Sequence, residues 1–385
     1  MHVMRAIARV TVLLVIIAVA FGVMELWLRS SRADSVYTEI QRHPPHPFLQ
    51  AMPAMAVEHV NAQGFRGDEL VMPKPAGTFR IFAIGGSTTL GVSNPYAESY
   101  PYLLQTLLQE KYPNVKIEVF NAGCPWYTSA HVLVSYAVEV RQYDPDLVIF
   151  FEAINDLVRS FSPPWLAKGD FKPDYSHYLG PYARLLGPNA AFVDPPSSSV
   201  AWNTLSGWLH GSPDPFNVRN PDNVARIAAR LQAIDRPAFK SLPSFRQYSD
   251  AIIHFVQADG HPIITASQAS IYRDDLSAED KRALWFAPLL CADHGTCPSL
   301  SAMTQGMAIY NAAARDIAAA RHVPFVDFAS AVPKTREYFA DDVHLKKAGN
   351  VVLAQKAAEA IEDAHLVPSS GSRVLSPGSK GKNPD

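Results

Sequence analysis

At 385 residues the chain is long enough for one large domain or two ordinary ones, and a 48% hydrophobic share supplies a sizeable core. Its 34 basic and 36 acidic residues leave a formal charge of −2. The basic residues are scattered, without the stripe that a phosphate backbone demands, which excludes nucleic acid as a partner class.

The first element is apolar. Arg5 and Arg9 precede a run from Val10 to about Leu28, broken only by Thr11 and Glu25. A stretch of about twenty residues spans a bilayer and exceeds the usual apolar region of a secretory signal. The charges flank the run instead of lining one face, which argues against a buried core helix. Residues 1–30 are therefore expected to be an uncleaved signal anchor and transmembrane helix, with the bulk of the chain periplasmic or extracellular. The alternative is a signal cleaved at the small residues Ala18-Val19-Ala20, which would release a secreted protein.

Residues 31–72, rich in Pro and polar residues, read as a linker. From 73 to 366 strands and helices alternate. Arg80–Ile84 is a first buried strand, and Tyr100, Leu103, Leu104, Leu107 and Leu108 recur at helical spacing. Lys116–Phe120 is a second strand and Ala130–Tyr143 a second helix. Leu147–Phe151 is apolar throughout, as a central parallel strand covered on both faces must be. Pro262–Thr265 and Pro324–Asp327 are later strands. Between them Met303, Met307, Tyr310, Ala314 and Ile317 mark one helix face, and a last helix runs from about Lys346 to Asp363. Such alternation predicts an α/β fold, a three-layer α/β/α sandwich around a parallel sheet of flavodoxin-like type. An insertion at about 158–243, with Trp165, Trp202, Trp208 and many prolines, reads equally as a substrate-facing cap and as packing over the sheet. The tail at 367–385 is too polar and turn-prone to pack and is expected to be disordered.

Cys291 and Cys297 flank a five-residue loop that could close as a local disulfide in an oxidising compartment, and the sequence leaves open whether they are bonded. His294 between them invites a zinc reading, but the spacing is atypical and no fourth ligand stands nearby, so no metal is expected. Cys124 reads as a buried thiol.

Four segments carry chemistry, and each falls where a strand gives way to a loop. Gly85-Gly86-Ser87-Thr88 offers a hydroxyl on a sharp turn. It is not a nucleotide loop, because Val92 stands where the phosphate-binding lysine belongs, and it is not a Gly-x-Ser-x-Gly elbow, because Thr89 replaces the second glycine. Asn121-Ala122-Gly123 offers the Gly123 N–H to a bound oxygen. Ile154-Asn155-Asp156 offers the Asn155 carboxamide, while Asp156 is expected to brace the loop and Glu152 to be structural. Asp341-Asp342-Val343-His344 offers a base of suitable pKa with a carboxylate three residues earlier, Asp341, that can fold back to the ring; Asp342 is expected to point elsewhere. Nucleophile, oxyanion donors, base and orienting acid are what acyl transfer requires. Ligands of open parallel sheets gather beyond the carboxyl ends of the strands, and Ser87, Gly123 and Asn155 each fall just past such an end, so the topology itself would bring them together.

The four segments resemble the blocks of the SGNH (GDSL-like) hydrolase superfamily, over about residues 60–365. Asn61–Asp68 resembles a lead-in seen in membrane-anchored members. The resemblance implies Ser87 as nucleophile, His344 and Asp341 as the rest of the triad, and the N–H groups of Ser87 and Gly123 with Asn155 as the oxyanion hole. Block one reads Gly-Gly-Ser where Gly-Asp-Ser gives the family its name, and block three reads Ala-Ile-Asn-Asp where Gly-x-Asn-Asp is common. The expected function is a serine esterase acting without cofactor on short-chain O-acyl esters, such as O-acetyl, of a small molecule or polysaccharide. Two alternatives use the same fold: an O-acyltransferase modifying a surface polysaccharide, and a non-catalytic carbohydrate-binding or assembly protein.

Overall fold

Thr78–Gly85 (β1) alternates its apolar side chains and buries all of them: Phe79, Ile81 and Ala83 enter one core cluster, Phe82 and Ile84 another. Lys116–Gly123 (β2) and Leu147–Phe151 (β3) divide in the same way, so the sheet needs a helical layer on each face. The computed structural model describes residues 2–32, 49, 58–92, 94–161, 169–177, 231–282, 284–286 and 296–368. Gln232–Ile234 (β4), Ile263–Ala266 (β5), Thr296–Pro298 (β6) and Phe325–Val326 (β7) complete the strands. The main sheet has the order β2-β1-β3-β5-β7 with every pair parallel, and β4 pairs with β6 in a separate parallel ribbon. Counted within the main sheet this is the 2-1-3-4-5 order of flavodoxin-like folds, whose switch point lies between β1 and β3.

The helices include His2–Arg32 (α1), Ser87–Leu90 (α2), Tyr100–Lys111 (α3), Ser129–Val138 (α4), Ile154–Val158 (α5), Leu242–Ala258 (α6), Leu300–Arg321 (α7), Phe328–Ala331 (α8) and Lys347–Asp363 (α9); a further single turn runs over Ala278–Lys281. Leu104 and Leu108 of α3 meet Leu353, Ala354 and Ile361 of α9 in one cluster, while Val132 and Tyr136 of α4 meet Ile252, Ile253 and Val256 of α6 in the other. Ser299 starts α7 by accepting from the Ala302 N–H, and His322 ends it in the left-handed region. Within α1 the stretch Ala8–Trp27 is exposed, apolar and long enough to cross a membrane.

The expected elements stand with shifted ends. The helix expected over 130–143 stops at Val138, and a 3₁₀ turn, Val140–Tyr143, closes with Asp144 in the left-handed region. The end of the expected linker belongs to the domain. Phe65 is buried against Phe82, and Arg66 exchanges backbone hydrogen bonds with Asn121 at 2.9 and 3.0 Å, extending the outer edge of β2. Cys124 is a buried thiol and Cys297 is disulfide-bonded. Cys291, His294, the three insertion tryptophans and residues 369–385 of the tail lie outside the described residues, whereas Val367, expected to start the tail, is buried in the core.

Candidate active site

Ser87 opens α2 directly beyond the carboxyl end of β1, and two glycines let the chain turn there. A Cβ on Gly86 would collide with the Glu152 carboxyl and stand 2.7 Å from Asn155 Nδ2, so glycine allows the β3 end to close against the Ser87 turn. Gly123 is required for a similar reason, because a Cβ there would strike the backbone of Leu90 and lie 2.8 Å from Thr89 Cβ.

From the opposite side, the loop before α9 delivers His344. Its Nε2 stands 2.8 Å from Ser87 Oγ and its Nδ1 2.7 Å from Asp341 Oδ2. Asp341 Oδ1 accepts from the N–H groups of Val343 and His344, at 3.1 and 2.9 Å, which locks the acid in a tight turn over its own histidine. Burial alone would raise the Asp341 pKa, but the charge of His344 and the hydrogen bonds from its side chain, from Trp285 and from its backbone outweigh that and hold it below the usual carboxylate range. An ionised acid that only accepts forces the proton onto Nδ1 and leaves the Nε2 lone pair facing the serine. Asp342 points away, accepting from Tyr272 OH at 2.7 Å, Trp285 N at 2.7 Å and Phe286 N at 3.3 Å. Its complete burial, and then the neighbouring negative Asp341, raise its pKa.

Asn155 lies in the first turn of α5, not in a loop, and its Nδ2 donates to Tyr127 O at 2.9 Å. Glu152 Oε1 accepts from the backbone of Ala153 and Asn155, at 3.0 and 2.8 Å, and burial followed by the charge of Asp156 pushes its pKa up to about 8. Asp156 braces the neighbouring loop as expected, accepting from Ser129 N, Ser129 Oγ and Tyr175 OH. The structure thus brings Ser87, His344, Asp341 and Asn155 together. Gly123 sits beside them, but its N–H is committed to Asn121 Oδ1 at 2.9 Å.

Several residues of the site carry no motif. Gln268 Oε1 accepts from Ala153 N and Ile154 N at 2.7 and 2.8 Å, while its Nε2 donates to Thr88 Oγ1 at 3.1 Å, tying the Asn155 turn to the Ser87 turn. It lies two residues past the end of β5, the kind of position that singled out Ser87. At the far end of α2, Arg66 donates to Leu90 O at 2.7 Å and Gly91 O at 3.3 Å, and Asn121 Nδ2 donates to Thr89 O at 2.8 Å. Trp126, held in the left-handed region at φ 65°, packs edge-on to Trp285 and Phe286, which flank the imidazole.

A family model described as GDSL-like lipase/acylhydrolase matches residues 83–352, well over half of the chain. Among curated proteins no relative matches. Among solved structures, an alpha/beta hydrolase enzyme from the metagenome of Lake Arreo, Spain, is 14% identical with a TM-score of 0.41, the match covering 74% of this chain and 95% of that one. An acetylxylan esterase from Geobacillus stearothermophilus is 16% identical with a TM-score of 0.43, covering 74% and 94% respectively.

Proposed function

The chain belongs to the GDSL-like lipase/acylhydrolase family, and from that premise we propose a membrane-anchored serine esterase, working outside the cytoplasm, that removes short acyl groups such as acetyl from a polar, sugar-like alcohol. The observation that carries the mechanism is the unbroken chain Asp341–His344–Ser87, with bonds of 2.7 and 2.8 Å.

Ser87 Oγ attacks the acyl carbonyl while His344 Nε2 takes its proton; the imidazolium then gives that proton to the departing alkoxide, leaving an acyl-enzyme and a free alcohol. Water repeats the sequence: His344 removes its proton, the ester to Ser87 breaks, and the carboxylic acid and the serine hydroxyl are restored. Negative charge on the carbonyl oxygen calls for fixed donors, each contributing ~10²–10³ in rate. The Ser87 N–H qualifies, because the first N–H groups of a helix have no intrahelical acceptor, and the Asn155 carboxamide stands beside it. The loop after β2 supplies the third. Gly123 can serve only by giving up Asn121, whereas the Trp126 N–H, which has no acceptor among the described residues, needs no such exchange.

Short acyl groups are favoured because access is narrow: Ser87 and His344 are 7% and 5% exposed, and Trp285 and Phe286 crowd the ring. The outward side rests on α1 alone. The test is a fluorophosphonate probe followed by p-nitrophenyl esters from acetate to palmitate. Labelling at Ser87 and rates that fall with chain length are expected. An unlabelled Ser87 would remove the serine mechanism, and a preference for palmitate would remove the short-chain reading.

A further inference from the structure

Trp285 does more than wall the site. Its indole Nε1–H donates to Asp341 Oδ2 at 2.9 Å, the same oxygen that receives His344 Nδ1 at 2.7 Å. With Val343 N and His344 N on Oδ1, the carboxylate has four donors on its four acceptor sites, and three of them are fixed to the fold. The indole is itself held, since the Trp285 and Phe286 N–H groups both donate to the buried Asp342. The Trp285 ring lies within 14° of the imidazole plane at a centroid separation of 6.4 Å, and Phe286 stacks on Trp285 at 4.2 Å. The two neighbouring acids therefore divide the work. One carries the imidazole, and the other anchors the backbone of the residue whose indole steers the first.

We propose that Trp285 is a positioning residue of the catalytic triad, its indole N–H fixing the orientation of the Asp341 carboxylate and sharing its charge with His344. This rests on the serine-esterase reading. Without the indole donor, Oδ2 turns more freely and presents its full charge to His344. The groups facing this oxygen are His344, Trp285 and the neighbouring Asp342, itself bonded to Tyr272. More charge on Oδ2 stabilises the protonated imidazole, so the acid limb of the pH–rate profile moves to higher pH. Loss of one hydrogen bond to a charged group corresponds to a fall in kcat of about 10- to 100-fold. A residue that only filled space would not shift the limb.

The experiment compares the full-length wild type, Trp285→Phe and a chain with benzothienylalanine at 285, in which sulfur replaces the N–H and the ring shape is kept. The benzothienyl chain preserves the packing and so tests the N–H even where the Phe variant fails to fold. The expected result is a 10- to 100-fold lower kcat on p-nitrophenyl acetate, KM little changed, slower fluorophosphonate labelling of Ser87, and an acid limb displaced upward in the benzothienyl chain. Wild-type kcat and an unmoved limb in that chain would overturn the proposal while Ser87 still labels. A wild type that neither labels nor turns over would instead overturn the esterase reading beneath it.

Discussion

Replacing Arg66 by Met tests whether the segment ahead of the first strand belongs to the catalytic machinery. The guanidinium is almost fully buried and donates to Leu90 O at 2.7 Å, Asn94 O at 3.0 Å and Gly91 O at 3.3 Å. All three carbonyls lie at or just beyond the C-terminal end of α2, the helix that begins with Ser87. Each of the two shorter bonds contributes about 1.5–3 kcal/mol, being donated by a charged group. Two effects reduce the loss. Asn121 Nδ2 still reaches Leu90 O at 3.2 Å, and removing the guanidinium recovers its burial cost, which is large enough to lower its pKa despite the opposing charge of the half-exposed Glu58. The net cost is about 2–4 kcal/mol, read as a fall of about 2–4 °C in Tm for each kcal/mol. Catalysis should suffer more than stability, because the far end of α2 loses the Arg66 anchor and keeps that of Asn121, and a displacement of Ser87 by ~1 Å would cost ~10²-fold. Stopped assays with p-nitrophenyl acetate, run beside fluorophosphonate labelling and thermal melts, separate the two effects. Arg66→Lys should fall between, since one ammonium cannot span carbonyls from residues 90 to 94. Wild-type kcat and labelling rate in Arg66→Met would refute the reasoning.

The adjacent acids should separate cleanly by their partners. Asp341→Asn should lower kcat by ~10³–10⁴ through the wrong histidine tautomer, measured on p-nitrophenyl acetate with the melting temperature little changed. Asp342→Asn should instead lower stability by about 1–3 kcal/mol, since three buried donors lose their charged acceptor, with the smaller effect on rate; equal rate losses would mean that the two side chains share one role. Glu152 predicts a pH dependence of stability. Its pKa is raised from 4.5 to about 8 in the folded chain, so the folded state holds a proton that the unfolded state releases, and stability from this group falls as pH rises between those values and is flat above them. Glu152→Gln should therefore gain in urea midpoint over the wild type between pH 5 and pH 8, and a difference independent of pH would contradict the assignment.

What could be read in the sequence follows from what chemistry restricts. The buried strands were legible because a strand covered on both faces admits almost nothing but apolar residues, as Leu147–Phe151 shows. Ser87, His344 and Asp341 stood out because few side chains have the chemistry of a nucleophile, base or orienting acid. The place of Ser87 follows from the carboxyl end of a parallel strand, whereas Asp341 and His344 come from the loop before α9, which no strand directly precedes. Boundaries were not. Nothing local says that the β3 loop winds into α5 at Ile154, because Gln268, more than a hundred residues later, caps that turn. Nor does Asn121-Ala122-Gly123 reveal that its own asparagine takes up the glycine N–H, a matter of one side-chain rotamer. The residues that hold the site were hidden for the same reason. Chemistry demands only a donor or acceptor of the right reach from Gln268, Arg66 and Trp285, and several residue types meet that demand. Each becomes specific through partners far along the chain: Thr88 for Gln268, Leu90 for Arg66, Asp341 for Trp285. A motif thus names the atoms that react. The fold alone names those that hold them still, and in this chain these include a segment lying ahead of the first strand.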